Sequence, residues 1–68
     1  MPTTGGKKIT VHYSSGSEVV YHVDSAHAAA IVLNLSGVTF HGHADGSTTD
    51  KDYAVAMPVG GWISSEDE

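Results

Sequence analysis

His41-Gly42-His43, inside the stretch "TFHGHADG", is the part of the chain whose residue types and spacing could do chemistry. On a β-strand, residues two apart share a face and lie about 6 to 7 Å apart at ~3.3 Å per residue. Two imidazoles so placed are a known way to offer nitrogen to zinc, nickel or copper. A third ligand would come from His12, His22, Asp45 or Asp50. The competing reading is a solvated polar sheet face in a chain that uses histidine where others use lysine. A third is pH response, because an unperturbed imidazole titrates near pH 6.5 and would make the face cationic below it.

The elements that must position these residues follow from periodicity. In "ITVHYSSGSEVVYHV", two alternating runs flank a Ser/Gly turn, which reads as a β-hairpin over Ile9 to Val23. An odd loop of three or five residues sorts an apolar face from a polar one, whereas an even loop mixes them. Paired as Ile9–Val23, Val11–Tyr21 and Tyr13–Val19, the hairpin makes His12 and His22 diagonal neighbours on the outer face. "DSAHAAAIVLNLSG" follows, with Asp24 or Ser25 as N-cap, three alanines and Gly37 as a stop. Ala28, Ile31, Val32 and Leu35 fall at i, i+3, i+4, i+7, which predicts a helix with one apolar stripe. A strand through Ile31–Leu35 competes, since β-branched residues crowd there.

Val38 to His43 is a strand with Val38 and Phe40 inward. Residues 44–52 are a polar loop, and Tyr53, Val55 and Met57 mark another strand. Pro58 and Gly60-Gly61 then permit a bend before Trp62-Ile63, a short last strand or a plug. The expected architecture is α+β: a small antiparallel ββαββ sheet with one helix on one face. Residues 1–6 form a flexible N-terminal tail, 7–63 one domain and 64–68 an acidic C-terminal tail. His12, His22, His41 and His43 face away from the helix, while His27 sits on it.

At 68 residues the chain holds one core, and such a chain buries only ~60% of its unfolded surface. It has no cysteine, which removes disulfides and thiolate metal sites. The net charge is −5, from eight acids against three lysines, with no arginine. Nucleic-acid recognition leans on arginine and lysine, so no nucleic-acid partner is expected. No run reaches the ~20 apolar residues of a membrane helix and no signal-peptide core is present, so a cytoplasmic protein without membrane contact is expected. Asp45, Asp50 and Asp52 do not have EF-hand spacing. No nucleophile elbow, P-loop or dinucleotide fingerprint occurs, and a non-enzymatic protein is expected. No cofactor is called for beyond zinc or nickel on the histidine face. Trp62 and Tyr53 are the candidate partner-contact residues, Trp because it is enriched in binding hot spots. Uncharged strand edges leave self-association open.

"KITVHYSSGSEVVYHVD", an alanine-rich segment, "VTFHGHADG" and the ending "YAVAMPVGGWISSEDE" together resemble the small accessory proteins of actinobacterial phages. The resemblance spans residues 7 to 68 and brings no catalytic residue. It implies a host-cytoplasm accessory protein or a minor virion component. The reading is therefore an interaction module that binds a host protein or itself. The alternatives are an oligomeric virion structural protein and a small histidine-based metal binder.

Overall fold

The computed structural model describes residues 6–68, so the expected tail 1–6 lies outside it except for Gly6. Six strands follow one another: β1 (Lys7–His12), β2 (Glu18–Val23), β3 (Val32–Asn34), β4 (Gly37–Ala44), β5 (Lys51–Ala56) and β6 (Trp62–Asp67). They form one antiparallel sheet in the order β3-β4-β2-β1-β6, with β5 also paired to β4 off this path. The sheet curls into a half-barrel. Its concave side holds Ile9, Val11, Val23, Val38, Phe40 and Ile63, against which Tyr21, Ile31, Tyr53, Val55 and Met57 pack.

The first hairpin has the odd loop that face-sorting demands. Gly16 donates its amide to the Tyr13 carbonyl and Tyr13 to that of Ser17, closing a three-residue loop. Gly16 takes φ +93°, the left-handed third position such a loop requires. The register, however, is Ile9–Tyr21 and Val11–Val19, two residues away from Ile9–Val23 and Val11–Tyr21. A two-residue shift leaves every side chain on its face, so alternation alone cannot separate the two. It does move His22 opposite Lys8 and His12 opposite Glu18, so these histidines are not diagonal neighbours.

The α+β expectation is overturned: the structure is nearly all-β and no helix packs on the sheet. Residues 24–36 instead make a turn, one 3-10 turn at Ala28–Ala30, and β3. Three alanines sustain a single turn, but a helix this short is marginal without a buried face. Of the supposed stripe only Ile31 packs on the core, while Val32 and Leu35 are exposed. The β-branched pair Ile31-Val32 instead begins the extended segment that pairs with β4 at Val32–Thr39 and Leu33–Val38. The Asn34 side chain accepts the Ser36 amide, which shapes the tight turn into Gly37.

The segment 64–68, expected as an acidic tail, runs as β6 through Asp67. Ser64 lies opposite Thr10, and Lys7 forms an ion pair with Asp67 across the strands. The Glu68 amide bonds the Gly6 carbonyl. No helix of the described residues is long and apolar enough to cross a membrane.

Candidate functional site

Alternation along the strands puts His12, His22, His41 and His43 on the convex side, opposite the core. Strand pairing then decides which of them meet. His22 lies directly across from His43 at the β2–β4 seam, ring centroids 5.5 Å apart. The turn after β2 returns His27 to the same side, where its ring lies 4.5 Å from that of His41. The resulting row is His27–His41–His43–His22. His12 stands apart, stacked on Trp62 at 3.6 Å and 12°.

Every imidazole in the chain is held by a carboxylate. Nδ1 of His27 donates to Asp24 (2.7 Å), that of His41 to Asp52 (2.8 Å) and that of His43 to Asp50 (2.8 Å). Nδ1 of His12 lies 2.9 Å from a Glu18 carboxylate oxygen, and the Ser64 hydroxyl lies 3.3 Å from its Nε2. His22 is bound at both nitrogens, Nε2 to Asp45 and Nδ1 to Glu68, each at 2.8 Å.

His22 is the buried member, with a side chain 11% exposed and the Glu68 side chain 5% exposed. The hydrogen bond to Asp45, then that to Glu68, raise its pKa above the ordinary imidazole value, against the opposing effect of burial. Reciprocally, the His22 hydrogen bond holds Asp45 below the usual carboxylate range. The His27 hydrogen bond does the same for Asp24. In the core, burial pushes the Tyr21 phenol up.

The expected metal set of His41, His43, His12 and His22 is thus divided. His12 is occupied by Glu18 and Trp62, and both nitrogens of His22 are used. Among the described residues, no three His, Cys, Asp or Glu side chains are grouped so as to hold an ion. Trp62 is exposed on one face and covered by His12 on the other. Tyr53 is half-buried, its ring between Tyr21 (4.9 Å) and Phe40 (5.3 Å). Sequence reasoning missed His27 as a member of the row, because it placed that residue on a helix. It also missed the six carboxylates as anchors, although the abundance of acids beside histidines was a signal.

A second feature lies at the other end of β4. A shallow groove of about 330 Å³ is floored by Gly37, Thr39, Ala54 and Ala56 and walled by Val32. None of its lining residues is ionisable. Leu35, at the tip of the β3–β4 turn, is 96% exposed beside it. No family model, no curated protein and no solved structure matches the chain.

Proposed function

We propose that the protein is a non-enzymatic interaction module whose contact surface is the uncharged β3–β4–β5 end, and that a second copy of the chain occupies it. The observation carrying this reading is the groove of small residues with a bare leucine at its rim. A two-fold axis beside both would seat each Leu35 in the other copy's groove, the self-complementary arrangement a symmetric dimer needs. Charge favours that face over the others. Each copy carries −5, so copies repel except where a surface has no ionisable group. A standard interface covers about 800 Å² per partner, which this chain can supply from its 4230 Å². Val32 in the groove wall is exposed, and the free edge of β5 extends the patch beyond the groove. A phage accessory protein or virion component, the roles implied by the resemblance, would use the same surface.

Sedimentation velocity from micromolar to millimolar protein tests this. The mass should rise from monomer to dimer with concentration, and either Leu35→Asp or Ala54→Glu should hold it at monomer. A wild-type chain monomeric throughout, or a dimer indifferent to both substitutions, would overturn the reading.

A further inference from the structure

We propose that His27 and His41 form a two-imidazole site for a divalent transition ion of the copper(II) or nickel(II) type, with Asp24 and Asp52 as its outer carboxylates. None of these four residues lines the groove.

The nitrogen that each ring leaves free decides whether it can take a metal. A metal takes a neutral imidazole nitrogen, and protein ligands are usually fixed by donating the other ring N–H to a carboxylate or carbonyl. His27 and His41 already have that outer arrangement. Nδ1 of His27 donates to Asp24 and Nδ1 of His41 to Asp52. This selects the tautomer whose Nε2 carries a lone pair. Neither Nε2 has a hydrogen-bond partner among the described residues, and both side chains are partly open to water. His27 is doubly held, because Asp24 also accepts its backbone amide through both the side chain (3.1 Å) and the main-chain carbonyl (3.1 Å). His41 is fixed by β4, paired in register with Asp52 itself. The rings therefore stand 4.5 Å apart at 44°, with little freedom left to lose on binding.

The rest of the row is less suitable. His22 has no free nitrogen, and His43 faces it at 5.5 Å rather than a second open ring. The choice of ion follows from ligand number. A structural zinc site closes with four protein ligands, and no third ligand is grouped here among the described residues. Copper(II) and nickel(II) accept nitrogen and oxygen in square-planar or tetragonal geometry, so water can complete two imidazoles, and copper(II) binds most strongly in the divalent series. A hollow of about 400 Å³ beside His41, Asp52 and Ala30 leaves room for those waters.

Copper(II) chloride added to the metal-free chain, followed by electron paramagnetic resonance and calorimetry, gives the test. One equivalent should bind with a two-nitrogen signature. His27→Gln or His41→Gln should abolish that signature and weaken binding at least tenfold, and Asp52→Asn should weaken it about 10- to 100-fold. His12→Gln should leave it unchanged. In the wild type, paramagnetic broadening of backbone amides should centre on residues 27 and 41, a readout that requires no variant. Broadening centred on the N-terminal residues or on His43, an unaltered signature in both glutamine variants, or no stoichiometric binding would each overturn the proposal.

Discussion

Gly42→Ala should lower the stability of this domain by about 3 kcal/mol, the upper range for forcing one extra carbon into a close-packed site. A domain of this size has about 5 kcal/mol in total. The melting temperature should accordingly fall by about 15 °C. The reason lies at the seam between β4 and β2. Gly42 sits where β4 leaves β5 and meets β2, and a methyl group there would overlap the His22 carbonyl oxygen and crowd Val23 at 3.2 Å. The obstacle is backbone, so it cannot turn aside as a flexible side chain would. Gly46→Ala is the control. Gly46 has φ +87° but open space around it, so alanine there costs only about 1 kcal/mol of backbone strain. A Gly42→Ala melt equal to that of Gly46→Ala would show that the seam is not close-packed. The glycine of His41-Gly-His43 thus has its own structural duty, since its missing side chain lets β2 bring His22 beside His43.

His22→Gln should cost about 2 kcal/mol, the scale of leaving a buried polar partner unsatisfied, because Glu68 loses its hydrogen bond in a largely water-free position. The pH dependence is more specific. His22 has a raised pKa in the folded state, so its stabilisation is complete below the unfolded imidazole value of ~6.5. That contribution is lost as pH rises through the folded value. Asp45 and Asp24 have lowered values, so their contributions are present above ~3.9 and lost as pH falls through their folded values. Both sets operate together between about pH 4 and 6.5. The wild-type melting temperature should therefore be highest in that window and decline towards alkaline pH. His22→Gln should flatten the alkaline decline, and a decline of undiminished slope in that variant would remove His22 as its cause.

The parts of this fold that were legible in the sequence are those set by period-two alternation. Ile9, Val11, Val23, Val38 and Phe40 are core because alternation places them there, and the same alternation puts four histidines outside. Register was not legible from the faces, since a slip of two preserves them. Gly16 could have settled it, because a left-handed glycine at the third position of a three-residue loop selects residues 14–16 over 15–17. The segment 26–35 misled because alanine content and an i, i+3, i+4, i+7 pattern compete with β-branching over few residues. A partner strand, β4, decided the outcome, and that partner is a tertiary fact. Distance along the chain hid the anchors as well. Asp45 and Glu68 reach His22 from 23 and 46 residues away, and neither spacing has a local signature.

Carboxylates fix each ring of the site, with Nδ1 protonated and Nε2 turned out wherever it is free. Two-bond proton–nitrogen correlation spectra of the ¹⁵N-labelled imidazoles read this directly, ring by ring. At a pH where they are neutral, His12, His27, His41 and His43 should show the Nδ1–H tautomer, which is the minor form of a free histidine side chain in water. His22 should remain protonated at both nitrogens to higher pH than an ordinary imidazole. If those four rings show the ordinary Nε2–H form and His22 titrates at the ordinary imidazole value, the carboxylate anchors do not hold in solution and the histidine face is not fixed in this way.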